Sequence, residues 1–275
     1  MINLSAISII SPNFDQPTLM TTQLDWQDFQ ANKDDLSNKT ILVTGAADGI
    51  GKAVSIALAE QGVTVLMLDK KARHLEKLFD QITARGFAEP VILPVDLMEI
   101  TPETATTLAQ AIHDDIGQLD GLLHNAAELG SPSPMDQYDM DYWNEVMHTN
   151  LQAPYLLTRA VLPLLKQGHQ TNILFTSADV GRQPAAYWGA YSIAYAGLEA
   201  QMKIWAEELE AVSNIKVNSL DPGPVRTSLR RRSHPGESQE GLAPPASIVG
   251  AYLKIFSNAH SHHGQKLAIK ETDQN

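Results

Sequence analysis

Short apolar runs alternate with longer segments of helix-compatible composition from residue 40 onward, and this alternation constrains the fold more than any other feature. Runs that are apolar on both faces are typical of strands in a parallel sheet covered by helices on both sides. The pattern predicts strands at residues 41–43, 63–68, 88–95, 121–123, 171–175 and 215–220. It predicts helices at residues 51–61, 73–85, 103–116, 140–166 and 191–212. The predicted fold is α/β, with a doubly wound parallel sheet in a single domain.

The domain boundaries follow from the same pattern. Residues 1–38 are polar and weakly patterned, so we expect a flexible N-terminal extension there and a single domain at residues 39–275. The first residues carry no basic region, which argues against a signal peptide. Residues 230–245 are polar and rich in Gly, Pro and Ser, and they predict one mobile loop.

Composition limits the possible partners. The chain has 20 Lys and Arg against 32 Asp and Glu, a formal net charge of −12, so nucleic acid and anionic membranes are not expected partners. No apolar stretch approaches the ~20 residues of a membrane-spanning helix, and we expect a cytoplasmic protein. There is no Cys, and His260, His262 and His263 have no accompanying carboxylate cluster, so no metal site is predicted.

Residues 44–51, with the sequence Thr-Gly-Ala-Ala-Asp-Gly-Ile-Gly, follow a predicted strand and open a predicted helix. In this position Gly45, Gly49 and Gly51 allow a tight turn and a close approach to a pyrophosphate. The first helical amides at Ile50 would then meet the phosphate charge. The segment therefore predicts a dinucleotide site in a Rossmann-type sheet, with Asp48 in its loop.

Asp69 ends the second predicted strand about twenty residues beyond the glycines, where a carboxylate accepts hydrogen bonds from the adenosine ribose. Asp69 would repel the 2′-phosphate of NADP, and Asp48 is acidic as well, so NAD is the predicted cofactor. The opposing observation is the basic group Lys70, Lys71 and Arg73, which could neutralise a phosphate.

The order of further motifs over nearly all of residues 40–227 resembles the short-chain dehydrogenase/reductase family, whose signature Thr-Gly-x-x-x-Gly-Ile-Gly matches residues 44–51. By this resemblance Asp96 and Leu97 face the adenine. Asn125 and Ala126 begin the family's Asn-Ala-Gly segment, in which Ala127 replaces the glycine.

Residues 218–227 resemble the family's Asn-x-x-x-Pro-Gly-x-x-x-Thr segment. The resemblance places Pro222 and Gly223 beside the nicotinamide and Thr227 near its carboxamide, with Val225 between them. Residues 180–183 and 188–191 also resemble the bacterial YciK-like branch of the family.

The resemblance implies a catalytic tyrosine as general acid/base, a lysine four residues later, a serine thirteen residues earlier and an asparagine on a preceding helix. Tyr191 matches the tyrosine and Asn150 the asparagine. The lysine position holds Tyr195 and the serine position holds Ala178. Ser177 is the neighbouring candidate for the missing hydroxyl, although consecutive side chains on a strand point to opposite faces.

These two departures leave two hypotheses open. At pH 7 only about one free tyrosine in a thousand is ionised, and a lysine cation normally favours the phenolate. The first hypothesis is an NAD(P)-dependent oxidoreductase with reduced activity, acting on a small alcohol or carbonyl compound. The second is a catalytically silent dinucleotide-binding protein with a regulatory or assembly role. In either case the resemblance implies a homodimer or homotetramer, paired through the helices predicted at residues 140–166 and 191–212.

Overall fold

Eight parallel strands form one sheet in the computed structural model, which describes residues 21–31 and 33–269. In chain order the strands are β1 (Thr22–Leu24), β2 (Thr40–Thr44), β3 (Thr64–Leu68), β4 (Val91–Leu93), β5 (Gly121–His124), β6 (Asn172–Thr176), β7 (Lys216–Asp221) and β8 (Lys266–Ile269). Across the sheet their order is β1-β8-β7-β6-β5-β2-β3-β4. The doubly wound parallel sheet that the sequence predicts is confirmed.

Helices cover both faces of this sheet. In chain order they are α1 (Lys33–Leu36), α2 (Gly49–Glu60), α3 (Ala72–Thr83), α4 (Pro102–Asp115), α5 (Met140–Met147), α6 (Ala153–Leu165), α7 (Asp179–Arg182), α8 (Gly189–Glu210), α9 (Ser228–Ser233) and α10 (Val249–Phe256). Residues of α4, α6 and α8 form one apolar core with the sheet, and residues of α2, α3 and α10 form the other. In β2, Leu42 packs into the first core while Ile41 and Val43 pack into the second, because successive strand side chains alternate.

The strand order reverses beside β2, and this reversal determines where a ligand can bind. β2 pairs with β3 on one side and with β5 on the other, so the connections after β2 and after β4 leave in opposite directions. Such a switch point opens a crevice at the carboxyl ends of the strands.

The strand predicted at residues 88–95 is shorter than expected. Strand β4 contains only Val91–Leu93 because Pro90 and Pro94 flank it, and a proline has no N–H to donate to a neighbouring strand. The other five predicted strands are present to within about one residue at each end.

The helix predicted at residues 140–166 is interrupted. Helix α5 ends at Met147, a π-helical turn follows at His148–Gln152, and α6 begins at Ala153. Pro154 explains the interruption, since it lacks the N–H that would bond to the carbonyl of Asn150 in a regular α-helix.

Two predicted boundaries are wrong. Residues before 39 belong to the fold, because β1 pairs with β8 and because Leu24 and Leu36 are buried in the core. The first twenty residues of the predicted extension lie outside the described residues. Part of the predicted loop at residues 230–245 is helical, since α9 extends to Ser233 and Thr227 Oγ1 caps it by accepting from the amide of Arg230 at 3.1 Å.

Within the described ranges, no helix is long and apolar enough to cross a bilayer.

Candidate active site

A cavity of about 950 Å³ opens at the carboxyl ends of the central strands, at the switch point of the sheet. Every residue that the sequence assigns to cofactor binding lines this cavity except Gly51. Gly51 lies behind the loop, where a Cβ would stand 2.2 Å from the carbonyl oxygen of Gly45. Only glycine fits at that contact, so Gly51 shapes the loop from behind.

The loop between β2 and α2 has the conformation that a phosphate site requires. Gly45 and Gly49 have positive φ values of 65° and 53°. Asp48 caps α2, with Oδ1 accepting from the amide of Gly49 at 2.7 Å. Ile50, in the first turn of α2, lines the cavity. The helix N-terminus therefore points into the site, where its dipole favours an anion.

The strand end after β5 holds this loop in place. Thr44 Oγ1 accepts from the backbone amides of Asn125 at 2.9 Å and Ala126 at 3.1 Å. Asn125 Nδ2 in turn donates to the carbonyl of Thr44 at 3.3 Å and to that of Gly45 at 3.4 Å. These bonds lock the glycine loop against the adjacent strand.

Asp69 stands at the end of the cavity where an adenosine would lie. Its carboxylate accepts from the amide of Ala47 at 3.2 Å and from the amide of Lys71 at 2.9 Å. Asp96 and Leu97 line the same end, and Asp96 Oδ1 accepts from the amide of Met98 at 2.9 Å. Backbone amides therefore hold both carboxylates in place at this end of the cavity, which Lys70 and Lys71 also line.

The segment after β7 forms the opposite wall. Pro222, Gly223, Val225 and Thr227 all line the cavity, and Gly223 adopts a positive φ of 68°. The amide of Gly223 donates to Asp221 Oδ1 at 2.9 Å. The turn thereby places a carboxyl group beside the position that the resemblance assigns to the nicotinamide.

Helix α8 presents two tyrosines to the cavity, one turn apart. The rings of Tyr191 and Tyr195 lie 4.6 Å apart between centroids, and both side chains are buried. Burial raises the pKa of Tyr191 well above its ordinary value, and Tyr195, Asp179 and Asp221 raise it further. Burial also raises the pKa of Tyr195 to about 12. Tyr191 therefore keeps its proton at neutral pH.

Ser177 lines the cavity, but its hydroxyl is engaged elsewhere. Its Oγ donates to Glu199 Oε1 at 2.5 Å. Glu199 also accepts from Arg182 Nε at 2.8 Å and from Ser219 Oγ at 2.7 Å, so this buried carboxylate is fully bonded. Ala178, at the serine position of the family, has only a methyl group. The structure thus gives the Ser177 hydroxyl a place in a buried polar cluster, and its predicted catalytic role stays a prediction.

Asn150 lies in the π-helical turn, and both polar atoms of its side-chain amide bond to the main chain of Glu128. Asn150 Oδ1 accepts from the Glu128 amide, and Nδ2 donates to the Glu128 carbonyl, each at 2.8 Å. The side chain therefore positions the segment after β5, and the predicted catalytic role of Asn150 stays a prediction.

The sequence interpretation missed two acidic residues of the site. Glu128 bridges Lys70 at 2.8 Å and Arg232 of α9 at 4.0 Å, across the mouth of the cavity. Asp221 lines the cavity beside the tyrosines, and burial raises its pKa. Single acidic residues after strands carry no distinctive sequence signal, so only the fold identifies them.

The basic run of α9 and the C-terminal histidines have local partners. Arg230 forms a bidentate ion pair with Glu237, with both contacts at 2.6 Å. His260 Nε2 lies 3.1 Å from Asn218 Nδ2. In the part of the chain that the structure describes, no group of three or more His, Asp or Glu could hold a metal ion.

Comparison with known proteins agrees with this geometry. A family model described as short chain dehydrogenase matches residues 39–238. The oxidoreductase YciK of Escherichia coli (strain K12), described as uncharacterized, is 37% identical over 230 residues, which make up 84% of this chain and 90% of YciK. This similarity confirms the resemblance to the YciK-like branch.

Solved structures show the same likeness. A short chain dehydrogenase from Pseudomonas syringae matches with a TM-score of 0.85 and 37% identity, covering 90% of this chain and 99% of that one. One from Shigella flexneri 2a str. 301, complexed with NADP, matches with a TM-score of 0.82 and 34% identity, covering 86% and 98%. With the glycine loop, the switch-point cavity and Tyr191 in place, the chain belongs to the short-chain dehydrogenase/reductase family.

Proposed function

We propose that this protein reduces carbonyl compounds to alcohols with a nicotinamide dinucleotide, using Tyr191 as the proton donor. The observation that carries the proposal is the position of Tyr191, whose side chain lines the cavity together with Pro222 and Gly223. Burial raises the pKa of Tyr191 and so keeps its hydroxyl protonated. When bound, the reduced dinucleotide supplies a hydride. The raised pKa keeps Tyr191 protonated, so its hydroxyl can supply the proton that the resulting oxyanion takes up, while little phenolate is present to act as a base. We therefore expect reduction to be faster than alcohol oxidation at neutral pH.

The residues of the cavity fit such a dinucleotide. The N-terminus of α2 would hold the pyrophosphate, and Asp69 would accept from the adenosine ribose. Gly45 leaves no room for a side chain, because a Cβ there would stand 2.8 Å from Ala126 Cα. The close approach of backbone to cofactor is therefore built into the loop.

We propose NAD as the preferred cofactor, and the support comes from this chain's own charges. The NADP held by the Shigella relative favours the opposite choice. In this chain, however, a 2′-phosphate would meet the carboxylate of Asp69, and Lys70 is already paired with Glu128. Calorimetry with NADH and NADPH tests this directly, and Asp69→Ala should narrow the ratio of the two Kd values by about tenfold, or ~1.4 kcal/mol. Tighter NADPH binding in the unaltered protein would overturn the preference for NAD.

The substrate end of the cavity favours neutral carbonyl compounds with an aromatic or apolar body. Trp188 lies 5.7 Å from the ring of Tyr191 and 5.4 Å from that of His234, so three rings form one wall. The nearby guanidinium groups of Arg230 and Arg232 face carboxylate partners, which reduces their attraction for an anionic substrate. We therefore expect benzaldehyde to be reduced faster than cyclohexanone, and both faster than pyruvate.

Turnover of these three carbonyl compounds with NADH and NADPH tests the proposed function. Tyr191→Phe should abolish turnover while leaving dinucleotide binding intact. Tyr142→Phe is the matched control, because Tyr142 is exposed on α5 and does not line the cavity. None of the matched relatives supports the catalytically silent alternative. Dinucleotide binding without turnover of any of the three carbonyl probes would nevertheless favour the catalytically silent alternative.

We also propose that copies of the chain associate through α6 and α8. Leu156 and Leu157 of α6 and Leu198 and Met202 of α8 are buried in the chain's own core. The exposed face of these helices instead presents Tyr155 and Trp205, whose stacked rings lie 6.2 Å apart between centroids. Ile204, the neighbour of Trp205 in the chain, is 55% exposed.

A further inference from the structure

The wall of three rings at the substrate end of the cavity contains a histidine that the proposed reaction does not use. We propose that His234 is a specificity-determining residue, whose Nε2 atom accepts a hydrogen bond from a hydroxyl group at the far end of the substrate. The substrate class is then a carbonyl compound with an aromatic or apolar body and a distal hydroxyl. The inference rests on the proposed function and deepens it, because it concerns the same site.

His234 follows the last residue of α9, and its main chain is bonded on both sides. Its amide donates to the carbonyl of Arg230 at 2.9 Å, and its carbonyl accepts from the amide of Glu237 at 3.1 Å. The bidentate ion pair between Arg230 and Glu237, at 2.6 Å for each contact, closes the same segment through its side chains. These bonds hold His234 in its place in the cavity wall.

The hydroxyl of Ser233 determines which ring nitrogen of His234 carries the proton. Ser233 Oγ donates to the carbonyl of Arg230 at 3.1 Å, and it lies 2.8 Å from His234 Nδ1. A hydroxyl has one hydrogen, and a carbonyl oxygen can only accept it. The contact with the ring therefore requires His234 Nδ1 to donate to Ser233 Oγ. In the neutral imidazole, Nε2 is then an acceptor.

This acceptor is available to a ligand. Among residues 21–31 and 33–269, His234 Nε2 has no hydrogen-bond partner, and the residue lines the cavity. Trp188 connects His234 to the reacting end, since its ring lies 5.4 Å from that of His234 and 5.7 Å from that of Tyr191. An aromatic substrate packed against Trp188 can therefore place its carbonyl at Tyr191 and a para substituent at His234.

An acceptor at Nε2 selects the chemistry of that substituent. A hydroxyl can donate to it, whereas an ether oxygen can only accept and an alkyl group can do neither. A substrate without the hydroxyl would leave the nitrogen unpaired in the complex, and such a loss is what makes polar sites discriminate strongly. His234 therefore favours substrates with a distal hydroxyl over alkyl and ether analogues of the same size.

Two probes of equal size test this preference: 4-(hydroxymethyl)benzaldehyde, and 4-ethylbenzaldehyde, in which a methyl group replaces the hydroxyl. With NADH, the kcat/KM of the unaltered protein should be about three- to tenfold higher for the hydroxymethyl probe, the range for one hydrogen bond. His234→Phe retains a ring against Trp188 and should remove the preference. His169→Phe is the matched control and should keep it, because His169 is exposed and does not line the cavity.

Two further variants separate recognition from a structural role. His234→Gln loses the ring but retains an acceptor, so it should keep part of the preference for the hydroxyl. Ser233→Ala removes the acceptor for Nδ1, which allows the proton to move to Nε2. In that variant 4-(methoxymethyl)benzaldehyde should gain on 4-propylbenzaldehyde, which has the same number of heavy atoms. An unaltered protein that favours the ether as strongly as the hydroxyl would overturn the assignment of Nε2 as an acceptor.

Binding without turnover separates this inference from the proposed function. Calorimetry on Tyr191→Phe saturated with NADH gives the Kd of each aldehyde in the absence of the proton donor, and NADH binding shows that each variant is folded. Tighter binding of the hydroxymethyl probe, lost on adding His234→Phe, supports His234 even where the unaltered protein reduces no aldehyde and the proposed function fails. Equal kcat/KM values for the two probes, or a preference that persists in His234→Phe, overturn the role of His234 and leave the proposed function standing.

Discussion

Replacing Tyr195 with lysine should convert the site from one that only donates protons to one that can also accept them. In the unaltered protein burial and neighbouring groups raise the pKa of Tyr191, so less than about one molecule in a thousand carries the phenolate at pH 7. A lysine ammonium one helical turn away should lower that pKa by about two units, within the range for an adjacent opposite charge. Two units correspond to about 2.7 kcal/mol and a hundredfold more phenolate.

The environment of position 195 sets the limits of this effect. The site is 4% exposed, so burial opposes the charge of a new lysine. Asp221 lines the same cavity, and its carboxylate would stabilise the lysine ammonium. The ammonium would then divide its electrostatic effect between Asp221 and Tyr191. Loss of the aromatic pair should lower the free energy of unfolding by about 0.5–1.5 kcal/mol. We therefore expect a folded variant with a lower Tm.

The assay is a tyrosinate absorbance titration, followed by alcohol oxidation with NAD. Six of the seven tyrosines remain in Tyr195→Lys, and adding Tyr191→Phe shows whether the shifted tyrosinate signal belongs to Tyr191. Oxidation of benzyl alcohol should rise by orders of magnitude, and more when Ala178→Ser restores a hydroxyl at the reacting oxygen. The two changes need not add, because these groups act on one proton transfer. An unaltered protein that already oxidises benzyl alcohol at ordinary dehydrogenase rates, with no loss in Tyr191→Phe, would refute the reasoning.

Three further predictions follow from the packing and charge of the fold. Burial lowers the pKa of His124 to about 3, so its contribution to stability is complete above the unfolded pKa near 6.5 and is lost as pH falls towards 3. The loss should reach roughly 2.7 kcal/mol at a pH of about 4.5, and chemical denaturation of His124→Leu should lack this component. Glu128→Gln should speed NADH release by up to about fivefold, because surface ion pairs contribute ~1 kcal/mol at most. An unchanged release rate in stopped-flow fluorescence would show that Arg232 does not slow the release of NADH. Trp205→Glu should produce monomers by light scattering, whereas a monomeric unaltered protein would reject the proposed association.

Local patterns predicted the parts of the site that depend on neighbouring residues in the chain. The glycine loop followed by a helix located the dinucleotide cavity, and Tyr191 in its motif located the reacting end. Pro154 indicates the break after α5, but the helix-compatible composition on both sides of it led to the prediction of one continuous helix. Strand β1 has only three residues, and its place at the sheet edge depends on pairing with β8, more than two hundred residues away. Such pairing leaves no local signal.

The acidic residues of the site illustrate the same limit. Glu128 and Asp221 acquire their roles from residues distant in the chain, and their own sequence neighbourhoods do not predict which groups they meet. The opposite case is Ser177, where strand alternation argued against a hydroxyl directed at the reacting oxygen, and the bond to Glu199 agrees with that argument.

Transfer of deuterium from nicotinamide-labelled NADH to benzaldehyde, followed by mass spectrometry of the benzyl alcohol, tests the central claim most directly. The account predicts label in the alcohol formed by the unaltered protein and by Tyr142→Phe, and none above background with Tyr191→Phe. Equal labelling with Tyr191→Phe, or an unaltered protein that binds NADH and transfers no label, would contradict it.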